Sequence, residues 1–279
     1  MPELPEVETV RRSLLPALLS GGITEIHTST LALRRRRIDR VALSALVGAQ
    51  FVAARRHGKY LLLDTSAQVT LLVHLGMSGR LLLVDAAVPH VQHTHVRLTL
   101  STGKELRYVD PRRFGLVRPY ATETIAKTEE LSILGPDPLG SLFTSADFSS
   151  DLARTKRDLK SALLDQGTVA GLGNIYVAEA LFVARLSPRR RAHRLSMPER
   201  ARLFGAIIEV LERGVQNRGT TFSDYVDANG ELGSNQHTLF VYGRAGEPCR
   251  VCATLIRKIV QAGRATFFCA RCQSATQNF

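Results

Sequence analysis

Four cysteines constrain the folding of this chain more tightly than any other feature. They stand as Cys249-x2-Cys252, then sixteen residues, then Cys269-x2-Cys272, with no cysteine anywhere else. Two C-x-x-C knuckles at that separation present four thiolates to one tetrahedral ion. Four sulfur ligands with no open position suit a single structural Zn2+. Two disulfides are the alternative, disfavoured in a chain with no secretion signal. Between the knuckles, "TLIRKIV" and "RATFF" pair as strands across a turn at "QAG". The expected product is a zinc-stapled β-hairpin, too small to bury enough apolar surface to fold without its metal.

The remaining chain reads as two further parts. Residues 5–19 form a helix with Pro5 in its first turn, Glu6 and Glu8 near its positive end, and Val7, Val10 and Leu14 on one face. From 23 to 120 the pattern changes to strands. "HVRLTLST" alternates apolar and polar residues, while "KYLLLD", "VTLLVHL" and "RLLLV" are short apolar runs broken by turns. "LGPDPLG" at 134–140 marks a boundary, after which helical patterns cover 146–165, 174–186 and 197–217. The expected class is α+β, with a β-sandwich flanked by helices over 1–134, a helical domain over 135–234 and the zinc hairpin over 235–279.

Charge narrows the partners. Thirty-seven Lys and Arg against 25 Asp and Glu leave a formal +12, which favours a polyanion because neutralised phosphates release counterions. Residues 235–279 are especially basic, with Arg244, Arg250, Arg257, Lys258, Arg264 and Arg271 against Glu247 alone. No apolar run approaches the ~18 residues of a membrane span. Two acids stand where a signal peptide would be basic, so the cytoplasm is the expected location. "RRRR" at 34–37 reads as a solvated loop able to brush a phosphate.

"QGTVAGLGNIYVAEALF" adds a glycine turn opening a helix, with Asn174 placed to cap it and to leave N–H groups for a phosphate. A dinucleotide fingerprint would need glycine where Tyr176 stands, which excludes that reading. A plain asparagine cap without a ligand is the competing interpretation.

Taken in order, "PELPEVE", "HGKYL", "HLGMSGRL", "DPRRFG", "GLGNIY", "VYGRAGEPC" and the paired knuckles resemble the formamidopyrimidine-DNA glycosylase family (Fpg, or MutM) over the whole chain. The resemblance implies a β-sandwich flanked by helices, then a helix–two-turns–helix domain with a zinc finger. It implies a bacterial monomer that works on damaged double-stranded DNA in base excision repair, as glycosylase and AP lyase, removing 8-oxoguanine and formamidopyrimidines. Loss of Met1 would free Pro2 as a secondary amine for attack on a sugar C1′; with Met1 attached, that nitrogen is an amide. An α-amine titrates near 7.7–8.0 against about 10.4 for lysine, so roughly a few hundred times more of it is unprotonated at neutral pH. The iminium so formed would drive β- and then δ-elimination.

By the same resemblance Glu3 is the general acid/base, Glu6 a lesion-pocket contact as well as a helix cap, and Lys59, His74, Asn174 and Arg264 phosphate contacts. Lys59 and Arg264 thereby join Pro2 and Glu3 in the catalytic set. Met77, Arg112 and Phe114 match the trio that fills the hole left by the extruded nucleotide. Residues 217–240 resemble a lesion-covering loop, with Thr220, Thr221 and Tyr225 as contacts. Two alternatives stay open: an endonuclease VIII-like enzyme for oxidised pyrimidines, and a DNA-binding paralogue without activity.

Overall fold

The computed structural model describes residues 1–34 and 37–274; Arg35 and Arg36 of the four-arginine run lie outside them. The chain divides into two compact units, one of residues 1–132 with 215–236, the other of 133–214 with 237–279.

The first unit opens with α1 (Leu4–Leu18), whose buried stripe of Val7, Val10, Leu14 and Leu18 follows the helical period. Eight strands follow: β1 (Ile23–Thr28), β2 (Phe51–His57), β3 (Tyr60–Thr65), β4 (Val69–His74), β5 (Arg80–Asp85), β6 (Thr94–Leu100), β7 (Lys104–Val109) and β8 (Leu116–Ala121), with the short α2 (Arg40–Ser44) between β1 and β2. They form two antiparallel four-stranded sheets, ordered β1-β6-β7-β5 and β2-β3-β4-β8. Leu61, Leu63, Leu71 and Val73 of one sheet share a core with Leu81, Leu83, Leu98 and Leu106 of the other and with the α1 stripe. The expected sandwich is present. Two connections cross between its sheets side by side: 75–79 runs from β4 to β5, and 110–115 from β7 to β8.

The second unit contains α3 (Ser145–Arg154), α4 (Leu159–Leu164), α5 (Asn174–Val183), nearly all of α6 (Met197–Gln216), and a hairpin of β9 (Arg257–Gln261) and β10 (Arg264–Phe268). Three expectations need correction. The helical pattern at 146–165 is two helices, because Asp158 accepts the amide of Ser161 and starts a new one. Asn174 is not a cap: Gly173 holds that position, and Asn174 is the first helical residue. Residues 215–236, assigned by pattern to the helical part, belong with the first unit. There the Thr220 amide bonds Glu6 and the Ala228 amide bonds Ser13.

The zinc hairpin is also less independent than its size suggests. Cys249, Ile256, Phe267 and Cys269 form one apolar cluster with Ala178 and Phe182 of α5. Glu179, 1% exposed, accepts the amides of Phe240, Val241 and Tyr242 at 2.7–2.9 Å and so ties the approach to the first knuckle onto α5. Burial holds its carboxyl above the usual range, with those amides opposing the shift.

Candidate functional site

Pro2 and Glu3 lie buried at the N-terminus of α1. Glu3 and Glu6 form a reciprocal capping box, in which Glu6 Oε2 accepts the Glu3 amide at 2.8 Å. Glu6 Oε1 accepts the Thr220 amide at 2.7 Å, so one carboxylate braces both the start of the helix and the 219–236 segment. The segment is tight there: Gly219 has φ +79°, and a Cβ on it would lie 3.0 Å from the Glu6 side chain. Thr220 Oγ1 accepts from Asn235 at 2.9 Å, and Thr221 Oγ1 donates to the Tyr225 carbonyl at 3.1 Å. The Tyr225 ring sits in the sandwich core, its hydroxyl within 3.1 Å of the Arg218 carbonyl and 3.3 Å of the Glu6 carbonyl. Burial, then the Glu6 charge, keeps that phenol protonated well beyond its ordinary range. The expected lesion-pocket residues Glu6, Thr220, Thr221 and Tyr225 are therefore brought together, linked to one another and to Glu3, Arg218 and Asn235.

Lys59 follows the Gly58 turn between β2 and β3 and is 6% exposed. His74 ends β4, tilted against Tyr60 with ring centroids 4.7 Å apart. Its Nδ1 accepts the Gly76 amide at 3.0 Å, which places the proton of the neutral ring on Nε2 and makes Nε2 a donor.

Met77 is 42% exposed at the tip of the 75–79 connection, as expected of a side chain with no packing duty. Arg112, exposed, and Phe114, half-buried, stand on the 110–115 connection beside it. The Arg112 guanidinium lies 5.1 Å from the Phe114 ring centroid. The Arg34 guanidinium lies 5.0 Å from the same centroid, and its amide donates to the Arg113 carbonyl at 2.7 Å. The arginine run, expected to be solvated, thus places its first member on this ring.

Close backbone approach explains the glycines of "HLGMSGRL" and "DPRRFG". Gly76 has φ +63°, and a Cβ there would fall 2.6 Å from the Gly115 nitrogen. A Cβ on Gly115 would fall 1.7 Å from the Tyr108 hydroxyl and 2.5 Å from the His74 carbonyl. Gly115→Ala should accordingly cost about 3 kcal/mol by overpacking, read as a lower urea midpoint at unchanged slope. A midpoint equal to wild type would mean that the two connections pack more loosely.

In the second unit, Asn174 Nδ2 donates to the Ala265 carbonyl at 2.9 Å, next to the exposed Arg264 at the start of β10. The buried Lys160 reaches the same carbonyl at 2.7 Å and Thr266 Oγ1 at 2.6 Å. Burial, then the Arg264 charge, lowers Lys160 to about 8. Pattern reading missed Lys160, Glu179, Ser78 and Asp110. All four sit inside motifs or helices already singled out, where their burial was not visible.

The cysteine sulfurs lie within 4.8 Å of one another, with Cys249–Cys272 at 3.9 Å and Cys252–Cys269 at 3.4 Å. Zn–S bonds of about 2.3 Å require tetrahedral edges of about 3.8 Å, which the set fits. Backbone amides of Val251 and Cys272 point at Cys249 and Cys269 sulfur at 3.4 Å, as thiolate ligands need. The four hold one structural zinc, with no position left for a reacting water.

Models of known families match three segments. They are the formamidopyrimidine-DNA glycosylase N-terminal domain over 1–117, the formamidopyrimidine-DNA glycosylase H2TH domain over 134–226, and the zinc finger found in FPG and IleRS over 246–275. A protein of Desulforamulus reducens named formamidopyrimidine-DNA glycosylase is 45% identical over 99% of this chain and 100% of its own length. A like-named protein of Geobacillus kaustophilus is 44% identical over 98% and 100%. Among solved structures, MutM (FPG) of Thermus thermophilus superimposes with a TM-score of 0.87 at 39% identity, covering 98% of each chain. Lactococcus lactis Fpg in complex with DNA containing an abasic site gives 0.89 at 33% identity, covering 98% and 99%.

Proposed function

Because the chain belongs to the formamidopyrimidine-DNA glycosylase family, we propose that it excises oxidised purines, 8-oxoguanine and formamidopyrimidines, through an iminium on Pro2, and then cleaves the strand. It is a base excision repair DNA glycosylase with a zinc finger. The observation that carries the finer reading is the placement of Pro2 and Glu3 at the buried start of α1, with the Glu6 carboxylate holding the Glu3 amide.

The chemistry follows from that placement. With Met1 removed, the Pro2 nitrogen attacks C1′ as the glycosidic bond breaks, and the base leaves with the bonding pair and takes up a proton. Glu3 transfers a proton at the sugar ring oxygen, opening the ring to leave an iminium. The iminium acidifies the C2′ hydrogen. Its loss expels the 3′ phosphate, a second elimination expels the 5′ phosphate, and water then frees Pro2.

Lys59 and His74 in the first unit, and Asn174 and Arg264 in the second, serve as phosphate contacts. The Nε2 proton of His74 and the planar guanidinium of Arg264 suit them to phosphate oxygens. Met77 and Phe114 fill the vacated stack, and Arg112 hydrogen-bonds the orphaned cytosine. The protein acts as a monomer on damaged duplex DNA in the cytoplasm. Among the described residues no helix is long and apolar enough to cross a membrane.

Presence of "HLGMSG" and "DPRRFG" favours purine over pyrimidine lesions. Excision from 8-oxoguanine·cytosine duplexes should exceed that from thymine-glycol duplexes by about tenfold or more, a transition-state difference of about 1.4 kcal/mol. The reverse order in parallel single-turnover assays would transfer the chain to the pyrimidine branch.

A further inference from the structure

Met77 and the Arg112–Phe114 pair come from different connections of the sandwich, yet a wedge works only if its parts keep one geometry. A buried polar hub lies where those connections meet. Asp110, 0% exposed, accepts the Ser78 hydroxyl on Oδ1 at 2.7 Å. Its Oδ2 accepts the Gly115 amide at 2.9 Å and the Tyr108 hydroxyl at 3.2 Å. The Ser78 hydroxyl in turn accepts the Arg112 amide at 3.2 Å. The backbone of Asp110 is held as well, its amide donating to the His93 carbonyl at 3.0 Å and its carbonyl accepting from His95 Nε2 at 3.0 Å.

His95 is itself 1% exposed and meets the Ser29 hydroxyl through Nδ1 at 3.0 Å, and burial favours its neutral form. One carboxylate therefore joins the residue after Met77, the residue after Phe114 and, through Ser78, the backbone of Arg112.

We propose that Ser78 and Asp110 are positioning residues that lock the two connections into one wedge, and that Ser78 sets the choice of opposite base by fixing the Arg112 backbone. The inference rests on the reading of Arg112 as the contact to the orphaned cytosine. Neither residue touches DNA in this account; each acts through Arg112, Met77 and Phe114. The serine hydroxyl suits the task because it donates to the carboxylate while accepting from an amide, which no apolar residue can do. The carboxylate suits it because three donors converge on two oxygens in a dry setting, where a partly satisfied network would not hold.

A double-mutant cycle tests the coupling: wild type, S78A, R112A and the double variant, each assayed on 8-oxoguanine opposite cytosine and opposite adenine. R112A should lower the cytosine-to-adenine excision ratio. S78A should lower it roughly five- to tenfold, the size of effect that loss of one buried hydrogen bond produces. The double variant should match R112A in this ratio, since Ser78 influences the choice of opposite base through that arginine. Borohydride trapping of S78A on a preformed abasic duplex should stay within about twofold of wild type, because the amine chemistry is untouched. D110N, which keeps the shape and loses the charge, should shift the ratio in the same direction.

An unchanged ratio in S78A while R112A falls would overturn the positioning role and leave the wedge reading intact. So would fully additive effects in the double variant. An unchanged ratio in R112A itself would overturn the cytosine contact and the proposal with it.

Discussion

Replacing Pro2 with glycine should reduce the borohydride-trapped adduct on abasic DNA by on the order of 10²–10³-fold, with lesion excision falling alongside. Glycine keeps a free α-amine and removes only the three ring carbons, so the loss reports what the ring contributes. A secondary amine yields an iminium that is cationic at every pH, whereas the imine of a primary amine must first be protonated to act as an electron sink. The ring also removes rotation about the N–Cα bond, which holds the lone pair in one direction. Glycine at the start of α1 would lose that restraint. A companion chain with one bulky residue inserted between Met1 and Pro2 would retain its methionine and present an amide. It should give no adduct while still binding DNA. Full trapping by the extended chain would move the nucleophile elsewhere, and full trapping by the glycine variant would show that the ring is not needed.

Removing zinc should weaken binding to lesion DNA by at least about 100-fold, with recovery on adding zinc back, since ligation of this kind supplies about 10–16 kcal/mol of apparent folding free energy in zinc-finger peptides. The loss would spread beyond the loops. Cys249 and Cys269 are buried in the cluster that contains Ile256, Phe267 and Phe182 of α5, and β10 carries Arg264. Four uncompensated thiols in that position would open the cluster and free β10. Lys160 and Asn174 both hold β10 through the Ala265 carbonyl and would lose their partner. The sandwich, whose core contains no cysteine, should keep its β-sheet circular dichroism. Unimpaired binding by metal-free protein would exclude the hairpin from the DNA contact.

The legible parts of this fold were those written in local pattern. Cysteine spacing identified the hairpin, which closes through Ala262 and Gly263, both at positive φ, with Arg264 paired to Gln261. Alternation of Val96, Leu98 and Leu100 identified β6 as a strand with one buried face. What escaped depended on partners distant in sequence. Asn174 looks like a cap because it precedes a helical run, but Ala265, ninety-one residues on, takes its side-chain amide. Residues 215–236 follow directly on a helical pattern, yet the Glu6 carboxylate and the Ser13 hydroxyl draw them to the first unit. Asp110 opens the "DPRRFG" motif with no role of its own in the sequence; only the meeting of two connections makes it a hub. Motif order names the candidate residues, while the bracing of Glu6 against Thr220 has no signal in it.

Peptide mapping of the wild-type adduct, trapped with borohydride on abasic DNA and digested, tests the central claim most directly. The account predicts a crosslinked N-terminal peptide that begins at Pro2, lacks Met1, and carries the sugar on its α-nitrogen. An adduct on Lys59, Lys160 or any other side chain, or active protein with Met1 still attached, would contradict it.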